Sequence, residues 1–453
     1  MLTILLLIPF VSMAYADAKS IIHYEVNFMD SILHGEFFNF YNFCNDKANF
    51  YLQMGIEGVS YATYDFPMYL VLGIWGIPLY FYGQIAGVEV TETMFGLVYG
   101  KSIYVVALVL ASWLIFKICQ EIGIEAKEAK WASFIFLSSL LVFVETCIIG
   151  QSDILGIVII LAGIRAFIRK QRWKFVLLFM LAVTFKQYAL FVFVPMLLLI
   201  EKRVWRILAD CVVVISLTAV CGLMFLGNTE AMIQKAAFSR NIFTMLTGPG
   251  LPFLTGNTSL VVVLLGAVCV YCYMHQPITN DKVLKQYAVF VPLLVMGAVF
   301  VSFSAYPYWL VHLSPYLAIM LVYNSRYREK FFVFETVGMA ALVLGQYITF
   351  YWCFDVENGK HMLLEKLFGD IGAVEHPISF HQLTETFHLV DYLPILNSVY
   401  LVFLAAMIWY SRPGKLEYNG GIRPLRPLAA GRLVLNVLIA YIPLVFYVVN
   451  FIG

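Results

Sequence analysis

Apolar stretches of bilayer length recur along the whole chain, and they restrict it to one class of fold. A helix needs about 20 predominantly apolar residues to cross a bilayer, and residues 98–117, 207–226 and 332–354 are stretches of this kind. The stretches are continuous rather than alternating, unlike the strands of a transmembrane barrel. The sequence therefore predicts an all-α, polytopic membrane protein.

The composition supports the same class. Hydrophobic residues make up 62% of the 453 residues and charged residues 13%, whereas a soluble domain is roughly a quarter charged. The net charge is +1, which gives no electrostatic reason to expect nucleic acid, and the apolar stretches make a lipid bilayer the expected partner. The eight cysteines are scattered and show no metal-site or disulfide spacing. We predict no metal and no other cofactor.

Basic residues orient the predicted helices. Lys and Arg concentrate in cytoplasmic loops, so six linkers rich in these residues are assigned to the cytoplasm and the other linkers face outward. This alternation predicts a multi-pass protein of the cell membrane with about 11–13 transmembrane helices. The basic residues of the six linkers are Lys117, Lys127, Lys130, Arg165, Arg169, Lys170, Arg172, Lys174, Lys202, Arg203, Arg206, Lys282, Lys285, Arg326, Arg328, Lys330, Arg412, Lys415, Arg423, Arg426 and Arg432.

The N-terminal stretch has two interpretations. We predict a retained first helix near residues 2–15, followed by a large outward loop at 16–97. A cleaved signal peptide is the alternative, because Ala14-Tyr15-Ala16 has the small residues of a cleavage site. No basic residue precedes Lys19, which disfavours the signal peptide.

A second stretch carries Lys186 inside an apolar run. Arg172 and Lys202 flank this run, and both are assigned to the cytoplasm. One helix would place them on opposite sides, so we predict two half-helices, 175–185 and 187–200, with Lys186 at an outward tip. Broken backbone at this depth occurs where it lines protein or a wet cavity. One long tilted helix with Lys186 snorkelling or paired is the alternative.

Residues 66–86 also disturb the alternation, because a full span there would turn Lys117 and Lys130 outward. The segment contains two prolines and three glycines, which favour a re-entrant or interfacial helix after an outward loop. A first loop on the cytoplasmic side is the competing interpretation.

Four outward segments carry polar groups that could take part in chemistry. Residues 20–41 predict a largely apolar helix along the membrane surface. Gly150-Gln151-Ser152-Asp153 forms a short turn, Lys186-Gln187-Tyr188 forms the hairpin tip, and residues 305–315 include aromatic residues and a histidine.

Three of these groups also have purely structural interpretations. Asp153 could simply cap the helix that follows it. Tyr306, Tyr308 and Trp309 fit an interfacial aromatic belt. His312 could be a buried, hydrogen-bonded imidazole or a residue that contacts a ligand.

The order of these motifs resembles the GT-C superfamily of integral-membrane glycosyltransferases, in its bacterial form. Members carry a G-Q-x-D turn, a span, a basic loop and then a segment with a central Lys and a later Pro. The matching positions here are Gly150, Gln151, Asp153, Lys186 and Pro195. The surface helix, followed by Tyr64-Asp65-Phe66-Pro67, is also similar to the first loop of the family.

The resemblance covers residues 15–205 and implies two modules. Residues 1–205 form a catalytic transmembrane module that includes the outward loop. Residues 206–453 form a variable transmembrane module with outward loops at 227–257 and 355–395.

The resemblance implies an inverting transfer of a sugar from a polyprenyl-phosphate carrier to a glycan, lipid or protein acceptor, with the site facing the extracytoplasmic side. It also implies a catalytic aspartate early in the first outward loop. Asp17 matches best, although Asp30 and Asp65 remain alternatives.

The remaining candidates follow from the chemistry of this transfer. A carboxylate can act as general base towards the acceptor hydroxyl, and Lys186 can meet the charge that develops on the leaving phosphate. Gln151, Asp153, Gln187, Tyr188 and His312 are the other predicted substrate-binding residues. A transporter or flippase for lipid-linked sugars, or a polysaccharide polymerase or ligase, is the alternative function.

Overall fold

The computed structural model describes residues 2–13, 16–54, 59–253, 256–275, 278, 280–303, 306–349, 362–369, 378–414, 416, 418–420 and 425–452. Helices dominate these residues. The first half contains α1 (Leu2–Ser12), α2 (Ala16–Leu33), α3 (Phe40–Gln53), α4 (Phe66–Ala86), α5 (Met94–Glu121), α6 (Ala126–Leu137), α7 (Leu140–Phe143), a π-helix (Val144–Ile149), α8 (Asp153–Ile168), α9 (Arg172–Phe185) and α10 (Tyr188–Ile200).

The second half begins with two helices and a short strand pair before helices resume. It contains α11 (Val204–Met224), α12 (Thr229–Thr247), β1 (Pro252–Phe253), β2 (Gly256–Asn257), α13 (Leu260–Met274), α14 (Asp281–Phe300), a 3₁₀-helix (Pro307–Leu313), α15 (Ser314–Tyr323), α16 (Arg328–Thr349), α17 (Met362–Phe368), α18 (Phe380–Thr386), α19 (Leu393–Tyr410), α20 (Leu425–Ala440) and α21 (Ile442–Ile452). Strands β1 and β2 pair antiparallel. Much of the predicted outward loop at 355–395 lies outside the described residues.

Six of the described helices are long and apolar enough to cross a membrane, which is consistent with a polytopic membrane protein. The number rises to eight if two bent helix pairs count as one span each. This is below the 11–13 predicted, because several predicted spans form shorter helices, such as α8 with 16 residues and α10 with 13. The six are Phe66–Ala86, Met94–Glu121, Val204–Met224, Asp281–Phe300, Arg328–Thr349 and Leu389–Tyr410.

Helix α4 is continuous over 21 residues, so the re-entrant form predicted for 66–86 is wrong, and the interfacial form stays a prediction. Its glycines serve helix packing instead. A Cβ atom at Gly73 would lie 2.1 Å from the Phe28 side chain, and one at Gly76 would lie 2.5 Å from Glu25. Small residues of this kind let two helix backbones approach closely. Helix α2 therefore packs into α4, and even its polar Glu25 is fully buried rather than turned towards an aqueous surface.

Helices α9 and α10 form the predicted hairpin. Arg172, at the start of α9, pairs with Glu201, just after α10, at 2.7 Å and with Asp210 of α11 at 2.7 Å. The two helices also stack Phe175 on Phe193, with ring centres 5.0 Å apart. A single long helix would separate the two ends, so the hairpin prediction is confirmed and the tilted-helix alternative is wrong.

Helix α12, from the second half of the chain, packs against the loop that precedes α4. Lys235 pairs with Asp65 at 2.7 Å and also donates to the Tyr64 carbonyl. Asn228, at the start of α12, accepts hydrogen bonds from the backbone N–H groups of Tyr41 and Asn42. These contacts hold the first loop in place from outside the predicted catalytic module.

Candidate functional site

The site is built around a tight turn between the π-helix and α8. The Gln151 N–H donates to the Glu145 carbonyl at 3.0 Å, which closes the wide π-helical turn. Gly150 then adopts a left-handed conformation with φ +78°, and a Cβ atom there would lie 2.7 Å from Ala18. Glycine is the residue that meets both demands. The turn is thereby pressed against the start of α2, where Asp17 lies.

Asp153 is the centre of the ionic contacts. Its carboxylate is fully buried, pairs with Lys186 at 3.0 Å and accepts a hydrogen bond from His312 at 2.8 Å. Ser152 occupies the N-cap position of α8, so the interpretation of Asp153 as a helix cap is wrong. Its position in the first helical turn adds support for a negative charge, because the helix dipole is positive there.

Asp17 joins the same group of side chains through Gln151, whose amide donates to the Asp17 carboxylate. Burial raises the pKa of Asp17, and it outweighs the opposing effects of the Lys186 charge and of the hydrogen bond from Gln151. The Asp17 side chain is nevertheless partly exposed. A carboxylate with a raised pKa and access to a ligand suits a general base. We call Asp17, Gln151, Asp153, Lys186 and His312 the Asp153 cluster.

Lys186 lies where the helical hairpin turns. Its backbone is extended, with φ −149° and ψ 121°, which ends α9 and directs the next residues into α10. The stem of its side chain passes Gly156 of α8, where a Cβ atom would lie 3.4 Å from the lysine Cγ. The side chain is 13% exposed, and its ammonium lies 5.2 Å from the centre of the Tyr64 ring. This is a cation–π distance.

Aromatic side chains form one wall of the cluster. The ring of Tyr188 packs against His312 at 5.8 Å and against Trp309 at 5.6 Å between ring centres. Trp309 is buried, so the interpretation of this residue as part of a membrane-interface belt is wrong. Tyr306 and Tyr308 are half-buried and stacked on each other at 5.3 Å, and their role as belt residues stays a prediction.

Gln187 does not join the cluster. Its side chain is exposed at the hairpin tip, and it makes no hydrogen bond to the part of the chain that the structure describes. The structure therefore brings together six of the seven predicted site residues, namely Asp17, Gln151, Asp153, Lys186, Tyr188 and His312.

The two alternative acids lie elsewhere and have partners of their own. Asp30 pairs with Lys47 at 3.0 Å and with His34 at 3.1 Å. Asp65 pairs with Lys235 at 2.7 Å. Of the three candidate aspartates, Asp17 is thus the one that belongs to the Asp153 cluster. Within the described residues, no group of three or more His, Cys, Asp or Glu side chains could hold a metal ion.

Two residues next to the cluster escaped the sequence analysis as site residues. The ring of Tyr64 covers Lys186, whereas the sequence indicates Tyr64 only as part of the Tyr64-Asp65-Phe66-Pro67 segment. Lys101 of α5 donates to the carbonyls of Phe10 and Met13 at the end of α1, just before Asp17. Neither contact leaves a signal in the local sequence, because both partners are distant in the chain.

The chain matches no protein-family model, no curated protein and no solved structure at a significant level. Any assignment of function to this site consequently depends on the residue types and their arrangement.

Proposed function

We propose that this protein is an inverting glycosyltransferase that moves a sugar from a polyprenyl-phosphate carrier to an acceptor on the outer face of the cell membrane. One observation carries the proposal. A partly exposed carboxylate of raised pKa, Asp17, lies in the same cluster as the ammonium of Lys186, beside the tip of a helical hairpin. These are the two groups that such a transfer needs, one for the acceptor proton and one for the leaving phosphate.

In the proposed reaction Asp17 accepts the proton of the acceptor hydroxyl. The acceptor oxygen forms a bond to the anomeric carbon from the face opposite the phosphate, which inverts the configuration. The bond between the anomeric carbon and the phosphate oxygen breaks, and its electron pair remains on the lipid phosphate. Lys186 stabilises that charge.

The other residues of the cluster position these two groups. The Gln151 amide orients the Asp17 carboxylate. Asp153 holds Lys186 in its charged form, because an adjacent carboxylate favours the ammonium. His312 fixes the second oxygen of Asp153, and Tyr188 packs against the His312 ring.

The proposal is tested with the purified protein in nanodiscs, supplied with radiolabelled polyprenyl-phosphate sugars and a panel of glycan, lipid and protein acceptors. We expect a new glycosidic bond of inverted configuration. Movement of the labelled lipid across liposomes without a new bond would instead favour a flippase. Transfer only from lipid-linked oligosaccharides would favour a polymerase or ligase.

The sidedness of the site is tested with two single cysteines on a cysteine-free background. Gln187 and Arg203 are both exposed and lie at opposite ends of the α9–α10 hairpin. We expect a membrane-impermeant thiol reagent to label Gln187→Cys from outside the cell and Arg203→Cys only after the membrane is opened. The reverse result would place the cluster on the cytoplasmic side and overturn the proposed outer-face reaction.

A further inference from the structure

The main chain at Tyr64 is held by side chains from three directions. The Tyr64 N–H donates to the hydroxyl of Tyr69 at 2.9 Å. Its carbonyl accepts from the Tyr41 hydroxyl at 2.9 Å and from the Lys235 ammonium at 3.0 Å. The following residue, Asp65, completes the arrangement with its ion pair to Lys235. A non-helical residue with both backbone groups bonded in this way has a well-defined position.

The side chain of Tyr64 differs from those of its neighbours. The hydroxyls of Tyr24, Tyr41 and Tyr61 each donate to a protein oxygen, for example Tyr61 to Asn49 at 2.7 Å. The Tyr64 hydroxyl makes no hydrogen bond to any residue in the described ranges, and the side chain is half-buried. Its ring lies against the Lys186 ammonium. A fixed tyrosine therefore presents an unused donor beside the cation of the site.

We propose that the Tyr64 hydroxyl donates a hydrogen bond to a phosphate oxygen of the lipid-phosphate ligand that Lys186 binds. This inference deepens the proposed function and rests on it. The ring stays in contact with the ammonium while the hydroxyl reaches the anion, so one phosphate receives a charged and a neutral donor together. Hydrogen bonds to charged groups are among the stronger ones in proteins.

The ion pair between Lys235 and Asp65 fixes the position of Tyr64 before a ligand binds, which suits Tyr64 to serve as a ligand for the phosphate. Lys235 belongs to α12, outside the predicted catalytic module, and it bonds both the Tyr64 carbonyl and the Asp65 carboxylate. Preorganisation of a binding group reduces the entropy that is lost when the ligand binds.

The test is a comparison of Tyr64→Phe with Tyr61→Phe in nanodiscs, using binding of polyprenyl phosphate without a sugar. Both changes remove one hydroxyl from the same loop. We expect Tyr64→Phe to weaken binding about tenfold or more and to leave the thermal unfolding temperature unchanged. We expect Tyr61→Phe to leave binding unchanged and to lower the unfolding temperature, because Asn49 loses its partner.

The outcomes separate this inference from the function on which it rests. If the unaltered protein binds polyprenyl phosphate and Tyr64→Phe binds it equally well, Tyr64 is not a phosphate ligand, and the proposed function still stands. If the unaltered protein does not bind polyprenyl phosphate, the proposed function fails and this inference fails with it.

Discussion

This protein has two buried clusters of charged residues, and the two clusters differ in how accessible their polar groups are to solvent and to a ligand. The Arg432 cluster consists of Ile135, Ser138, Glu335, Arg432 and Asn436. Arg432 donates to the Ile135 carbonyl, to the Ser138 hydroxyl and to the Glu335 carboxylate, at 3.1, 2.9 and 2.6 Å. Asn436 donates to the Ser138 carbonyl at 2.7 Å.

These contacts repair a break in the helical backbone. Helix α6 ends at Leu137 and α7 begins at Leu140, and the pair bends by 55°. Such a break leaves carbonyl groups without their usual helical partners, and Arg432 and Asn436 bond two of them. Arg432 is 2% exposed and Glu335 is 4% exposed. The Arg432 cluster is therefore closed to solvent, and its donors serve the fold.

The Asp153 cluster is arranged differently. Asp17 is partly exposed, the Lys186 side chain keeps 13% of its surface accessible, and the adjacent Tyr64 hydroxyl is unused within the described residues. Lys186 pairs with Asp153, and its charge also partly offsets the rise that burial causes in the pKa of Asp17, whereas Glu335 faces Arg432 in a simple pair. Both clusters contain buried charge, so burial of charge does not distinguish them, whereas the solvent accessibility of polar groups does.

The largest expected effect is on catalysis in the Asp153 cluster. We expect Asp17→Asn to lower the rate of sugar transfer about a hundred- to ten-thousandfold, because the proposed general base is lost, while polyprenyl-phosphate binding stays within a few fold. The rate is measured by single-turnover transfer in nanodiscs. Asp46→Asn, at an exposed position of α3, is the matched control. Full turnover in Asp17→Asn would move the base to Asp30 or Asp65.

The Arg432 cluster should show the largest effect on stability. Arg432→Met leaves Glu335 buried without its cation, and removing one partner of a buried pair costs about 3–5 kcal/mol. Thermal unfolding in detergent measures the loss. The double change Arg432→Met with Glu335→Leu removes both charges and should recover much of the stability. If the double variant is no more stable than Arg432→Met, the loss comes from the bonds of Arg432 to the α6–α7 break and not from an unpaired Glu335.

A smaller effect is expected from the cation of the Asp153 cluster. We expect Lys186→Met to weaken polyprenyl-phosphate binding about tenfold to a hundredfold, since a charged donor is lost. The variant also leaves Asp153 without its ammonium, so a combination with Asp153→Asn serves as the control for folding. Stability should improve in the combination and binding should not. Unchanged affinity in Lys186→Met would make the lysine a structural residue.

The smallest expected effect is on pH dependence. Burial raises the pKa of Asp17, so the base becomes protonated at a higher pH than an ordinary aspartate, and the transfer rate should fall as the pH drops through that raised pKa. The sign for stability is opposite, because the folded state binds this proton more tightly than the unfolded state. The folded state therefore loses stability as the pH rises from the pKa of Asp17 in the unfolded chain to its higher pKa in the folded protein.

A pH–rate profile and a pH–stability profile of the unaltered protein and of Asp17→Asn measure both effects. An acidic limb at the pKa of an exposed aspartate would show that Asp17 is not the group that titrates in the reaction.

Several errors of the sequence analysis have a common cause. Arg432 was assigned to a cytoplasmic linker by its charge. It belongs instead to α20, and its side chain is buried in the protein because Glu335 and a carbonyl at the α6–α7 break bond the guanidinium. The glycines of 66–86 were interpreted as breaks, yet two of them, Gly73 and Gly76, lie on the surface of α4 against which α2 packs. In both cases the role depends on a partner that is distant in the chain.

The sequence by itself determined the features that follow from local hydropathy and charge. Apolar runs predict membrane helices because each residue's preference for lipid or water is a local property. The same local signals predicted the hairpin, since basic residues at both of its ends require a return to one side. They also placed Gln151, Asp153, Lys186 and His312 in outward segments, whereas Asp17 became a candidate through the family resemblance.

Only the tertiary structure decided which of these groups meet. Asp153 and His312 are 159 positions apart in the chain, and Gln151 and Asp17 are 134 apart. Their contacts arise from the directions in which helices pack, and these directions depend on close approaches such as that of Gly150 to Ala18. The same packing pairs Asp65 with Lys235 and places Tyr64 over Lys186. Residue type establishes what a side chain can do, and packing establishes with which partner it does so.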